Sequence, residues 1–81
     1  MIAKSQYKLE ARDLEIILAL VRTANLARAG ERLNVDASTI FRAIRRIERG
    51  LGQPLFERSR AGYLPSEQAQ VLAEHAEQVE T

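Results

Sequence analysis

The sequence predicts a mainly α fold with a small β wing: a three-helix core, a two-stranded wing and a following linker helix. Three observations predict it. Amphipathic stretches separated by turn residues fill positions 13–52, a stop at Gly52 and Pro54 introduces two short extended pieces, and from Ser66 the apolar residues return to helical spacing. Eighty-one residues make one small domain. A domain of this size buries only about 60 to 65% of its unfolded surface, so association with a second copy is expected. The expected division is an N-terminal extension at 1–12, a folded domain at 13–65 and the start of a linker helix at 66–81.

Residues 1–12 mix polar and apolar types without a period. Asp13 precedes Leu14, Ile17, Leu18 and Val21, which predicts a helix with Asp13 as its N-cap and Glu15 in the first turn, where the helix dipole favours an acid. Ile16 and Leu20 widen the apolar face past half the circumference, so this helix is expected to meet two surfaces, its own core and something else, another subunit being one candidate. Asn25 caps a second helix, Leu26 to Leu33, whose inward side is Leu26, Ala29, Gly30 and Leu33. Gly30 costs about 1 kcal/mol in helix propensity, and the expected compensation is close approach of a neighbouring helix. Asn34-Val35-Asp36 is then a turn, with Val35 tucked inward and Asp36 as the next N-cap.

In the third helix Ile40, Ile44, Ile47 and Leu51 fall in one narrow stripe, which gives it a buried face. Ser38, Arg42, Arg45 and Arg49 recur at the same intervals on the opposite side. Two short helices joined by a three-residue turn, the second basic on its outside, is the helix-turn-helix pattern. Leu55 to Arg60 and Tyr63 to Pro65 read as extended pieces around an Ala61-Gly62 turn, with Arg58 and Arg60 on one face by the two-residue period. Ser66 caps the last helix, in which Ala69, Leu72, Ala76 and Val79 form a heptad seam suited to pairing with a second copy. That seam is too short to dimerise alone, so Ile16 and Leu20 of the first helix are expected to assist it.

The net charge of +1 is unevenly spread. Residues 37–65 carry six arginines against Glu48 and Glu57, a balance of +4, while residues 66–81 carry four glutamates and no base. The central segment is therefore the part suited to phosphates, with the tail facing elsewhere. With no cysteine and a single histidine, His75, the chain offers neither a disulfide framework nor a metal cluster, and no cofactor is expected. The apolar run from Ile16 to Val21 is too short to span a bilayer, so a soluble cytoplasmic protein with no membrane partner is expected.

Three ordered segments, Asn25 to Leu33, Asp36 to Glu48 and Leu51 to Arg58, closely resemble the N-terminal winged helix-turn-helix of LysR-type transcriptional regulators. Within them stand the patterns A-x-E-R-L, S-x-x-x-R-x-I-x-x-I-E and L-G-x-P-L-F-E-R, and the resemblance runs from about residue 12 to the chain end. It implies sequence-specific binding of double-stranded DNA at an imperfect inverted repeat, a homodimer paired through the linker helix, and an effector-binding domain in the full-length protein. The chain departs from the commoner pattern at Phe41, where serine is usual, and at Ala37 and Ala43, where glutamine is frequent. Losing those amides removes side chains able to bond adenine edges, so readout is expected to lean more on Arg42, Ser38 and apolar contact.

The residues expected at DNA are Asn25 and Arg28 from the second helix, Ala37, Ser38, Thr39, Phe41, Arg42, Arg45 and Arg46 from the third, and Arg58 and Arg60 from the wing. Arg42 is expected in the major groove, on a guanine or a phosphate, and the wing arginines on the backbone or the minor groove. Phe41 either packs against the wing or the first helix or meets a thymine methyl. The dimer residues expected are Ile16, Leu20, Ala69, Leu72, Ala76 and Val79. Glu48 is expected to pair or pack without a chemical role, and His75 to be exposed. Two rival readings are a winged-helix module that binds protein without touching DNA, and an enzyme. The arginine row opposes the first; the absence of cysteine, the single histidine, the lack of a glycine-rich phosphate loop and carboxylates scattered over helix surfaces oppose the second.

Overall fold

The computed structural model describes residues 8–80, with side chains through Gln78. Its elements run α1 (Ala11–Thr23), α2 (Leu26–Leu33), α3 (Ala37–Leu51), β1 (Phe56–Ser59), β2 (Gly62–Pro65) and α4 (Glu67–Glu80). This is the expected three-helix core with a two-stranded wing and a fourth helix.

Helix α1 starts earlier than Asp13, because the carboxylate of Asp13 bonds backward. Glu10 is the N-cap and Asp13 takes the third helical position of a reciprocal capping box, its Oδ2 accepting from the Glu10 N–H at 3.2 Å. Ala11 and Arg12 thus belong to the first turn. Helix α2 has the expected bounds: the Oδ1 of Asn25 accepts from the Arg28 N–H at 2.9 Å, and Asn34 closes the helix in the left-handed region. Gly30 does permit a close approach, but by the backbone of the following turn rather than by another helix. A Cβ there would stand 2.4 Å from the Val35 carbonyl oxygen. Asp36 holds the cap position of α3 without a side-chain bond, and Gly52, at φ 78°, ends that helix as the glycine and proline predict.

The main core brings Ile17 and Leu20 of α1 against Ile40 and Ile47 of α3, with Leu55 beneath the wing, all fully buried. Ile44 joins them and Leu51 packs at the edge, so the apolar stripe of α3 is seated along its length. Helix α1 meets two surfaces, but the second is α4 of the same chain. Leu18 packs with Ala73 and Ala76 in a separate cluster, and Ala69 is buried in the main core.

This arrangement corrects the expected dimer residues. Ile16, Leu20, Ala69 and Ala76 are enclosed within the single chain, and Leu72 is half-buried against the main core, so the seam is occupied by α1. The reason is size: three alanines on one side of α4 let its backbone lie close along α1. Arg22 Nη2 then meets Glu77 Oε2 at 3.1 Å across the same pair of helices. Val79 lies outside the described side chains.

The wing is an antiparallel hairpin in which Phe56 pairs with Pro65, Arg58 with Tyr63 and Ser59 with Gly62. Its turn is therefore Arg60-Ala61, one residue earlier than expected, and Ser59 Oγ closes it by donating to the Gly62 carbonyl at 2.9 Å. Gly62 serves a different need. At φ 123° it brings β2 against the α1–α2 corner, where a Cβ would stand 2.4 Å from the Ala24 carbonyl oxygen. The next residue, Tyr63, donates its N–H to that same oxygen at 2.9 Å. Ser66 Oγ caps α4 by accepting from the Ala69 N–H at 3.1 Å, and the Ser66 N–H donates to Leu55 O at 2.8 Å, which ties the start of α4 to the base of the wing.

Candidate nucleic-acid interface

Because the isoleucines of α3 are seated below, the opposite side of the helix is fixed outward. Ser38, Arg42, Arg45 and Arg49 are all exposed along it, as the spacing predicts. Ala37 and Thr39, in the first turn, are half-buried beside them. The acidic helix does not cover this face, since Glu77 is directed at Arg22 on α1. A rigid helix carrying three guanidinium groups and a hydroxyl in one row matches what a major groove accepts.

Two expected DNA residues are engaged within the chain. Arg46 Nη2 lies 3.1 Å from Asp13 Oδ1, where the arginine side chain is 53% exposed and the aspartate 5%. That pair locks α3 to the first turn of α1, so Arg46 positions the helix. Asn25 remains exposed, but its Oδ1 is committed to the α2 cap. Arg28 is exposed nearby on α2. Ala43, considered as a position for base readout, is buried in the main core, so an amide there would have no route to a base edge.

Phe41 is 42% exposed and sits on the flank of α3 that faces the wing. The Arg45 Cζ lies 5.7 Å from its ring centroid, and on the wing the Arg58 Cζ lies 5.4 Å from the centroid of Tyr63. Both are within cation–π range. Arg58 and Arg60 do not form one strand face, because β1 ends at Ser59 and Arg60 occupies the turn, where it is exposed at the wing tip.

Sequence reading missed two positioning residues. Glu48 Oε2 accepts from the Leu55 N–H at 2.8 Å and the Phe56 N–H at 3.3 Å, fastening the wing to the recognition helix. Its signal was present in its half-apolar flank and the loop that follows α3, but its partners are backbone groups that no residue type announces. Tyr63 supports Arg58 from the opposite strand, and placing the turn at Arg60-Ala61 would have paired them in register.

The geometry is that of a helix-turn-helix with a basic outward helix and an arginine-bearing wing. Residues 11–70 match the family described as bacterial regulatory helix-turn-helix protein, lysR family. The chain belongs to this family. The Small neutral protease regulatory protein of Streptomyces coelicolor (strain ATCC BAA-471 / A3(2) / M145) is 41% identical over 59 residues, covering 73% of this lysR-family chain and 18% of the relative. The HTH-type transcriptional regulator IlvY of Escherichia coli (strain K12) is 34% identical over 70 residues, covering 86% of the chain and 24% of the relative. The chain thus spans 18 to 24% of the length of these curated relatives. Among solved structures, that of a CbnR DBD–DNA complex is similar with a TM-score of 0.78 and 30% identity, over 89% of this chain and 83% of that one.

Proposed function

We propose that this chain binds double-stranded DNA sequence-specifically as the DNA-binding part of a homodimeric transcriptional regulator, with α3 in the major groove. The observation that carries the reading is the outward row of Ser38, Arg42, Arg45 and Arg49 on a helix whose other face is anchored in the core. The solved CbnR DBD–DNA complex, of similar fold, supports it. Arg42 is assigned to a base edge or phosphate at the centre of the contact, Ser38 and Thr39 to its N-terminal end, and Arg28 and Arg60 to flanking backbone. Two copies would place their recognition helices about 34 Å apart on one side of the duplex, at an imperfect inverted repeat.

The homodimer is assigned to the outward side of α4, where Val71 is 57% exposed, rather than to the enclosed alanine side. In the longer protein an effector-binding domain follows α4, as the length of the relatives supports. The role is binding without a chemical step, carried out in the bacterial cytoplasm at the nucleoid. Among the described residues no helix is long and apolar enough to cross a membrane.

Duplexes selected from a random library, followed by fluorescence anisotropy on the selected and a scrambled duplex, test this reading. Enrichment of an inverted repeat bound far more tightly than its scramble supports it. Equal affinity for both, or no enrichment, refutes it.

A further inference from the structure

Between α3 and the wing lies an open cleft of about 410 Å³, and both aromatic-backed arginines line it. Arg45 rests on Phe41 from the helix side and Arg58 on Tyr63 from the wing side. A guanidinium lying over a ring keeps its N–H edge free and loses little rotamer freedom on meeting an anion. Among the described residues neither arginine has a carboxylate within ion-pair distance, whereas Arg12, Arg22 and Arg46 each do. The carboxylate that borders the cleft, Glu48, is turned to the Leu55 and Phe56 N–H groups at the base of the wing. The cleft is thus a notch with apolar walls and a net positive lining, its one carboxylate held by backbone N–H groups at the base of the wing rather than by either arginine.

A recognition helix in the major groove and a wing at the adjacent minor groove straddle the sugar-phosphate strand that separates the two grooves. We propose that this cleft is a phosphate clamp: Arg45 and Arg58 grip the same backbone phosphodiester, with Phe41 and Tyr63 as the positioning residues that aim them. The clamp rests on the DNA-binding reading above and adds the partner group and four residue roles. A phosphodiester offers two non-bridging oxygens, one for each guanidinium, and a charged fork-to-oxygen bond is the strong form of such a contact. Sequence preference is not altered by it, since every nucleotide carries the same group.

The test uses the 81-residue chain, a duplex recovered by library selection, and versions of that duplex carrying one methylphosphonate, an uncharged phosphate analogue, at each position in turn. With the unaltered chain, one position per half-site is expected to weaken binding most. On the native duplex, R45A and R58A are each expected to weaken binding about tenfold, and the double variant by distinctly less than the product. F41L and Y63L are expected to lose about two- to fivefold on the native duplex and nothing on the duplex neutralised at that position, which a merely structural role would not produce. Losses from R45A and R58A that multiply, or that map to different phosphates, overturn the clamp while leaving DNA binding intact. Recovery of no duplex at all overturns the DNA-binding reading and the clamp with it.

Discussion

Replacing Gly30 with alanine sets two effects of opposite sign against each other. Helix propensity alone favours alanine in the interior of α2 by about 1 kcal/mol. Against it stands the turn: the new Cβ would lie 2.4 Å from Val35 O, 3.3 Å from the Asp36 carbonyl carbon and 3.4 Å from the Ala37 nitrogen. All three are backbone atoms, which cannot swing aside as a side chain could. Val35 must retreat by more than half an ångström to reach the 3.0 Å that real Cβ contacts respect, and the Val35 N–H bond to the Gly30 carbonyl, now 2.8 Å, stretches with it. Overpacking of this kind costs about 1 to 3 kcal/mol and the weakened bond about 1 more. After subtracting the propensity gain, G30A is expected to be destabilised by about 1 to 3 kcal/mol. Thermal unfolding should show the midpoint falling by about 4 to 8 °C for each of those kcal/mol. Because the same turn sets the angle between α2 and α3, affinity for a selected duplex should fall as well. A variant that melts at or above the parent temperature would show that the turn is not held against α2.

Other expectations follow from single contacts. E48A leaves the Leu55 and Phe56 N–H groups without their acceptor and should cost about 1 to 3 kcal/mol in urea unfolding, with faster hydrogen exchange at those two amides and little change within α3. R46A should lower stability by about 1 kcal/mol, the arginine being half exposed, and should leave the salt dependence of DNA binding unchanged; a flattened salt slope would place Arg46 on a phosphate instead. R42A should cost about 1 to 3 kcal/mol of binding and relax preference at one base pair while leaving the melting temperature unaltered, as anisotropy across single-substituted duplexes would show.

What could be read from residues alone was what local chemistry fixes. The bounds of α2 and the end of α3 follow from Asn25 and Gly52, each of which acts on its own neighbours. The outward arginines followed from the isoleucine stripe, because two faces of one helix cannot both be buried here. Periodicity says that a face is covered but not by what. The spacing of Ala69, Leu72 and Ala76 fits a second copy and fits α1 equally well, and only the packing of the chain, with Ala69 and Ala76 buried in clusters that include α1, tells the two apart. Asp13 has the composition of an N-cap, yet a capping box needs an acid at the third position too, and its bond to Arg46 joins residues far apart in sequence. Gly62 drew the turn toward itself, whereas its lack of a Cβ is used for contact with Ala24. The cleft between α3 and the wing depends on how two elements dock, which no short segment encodes.

The central claim, that the outward side of α3 is the surface that meets DNA, is tested most directly by amide chemical-shift mapping. A selected duplex would be titrated into the isotope-labelled chain. The account predicts that the largest shifts cluster at residues 38–49 and at 58–60 of the wing, while Glu67 to Glu77 of α4 stay near their free positions. Shifts concentrated on α4, or spread evenly with none along the arginine row, would contradict it.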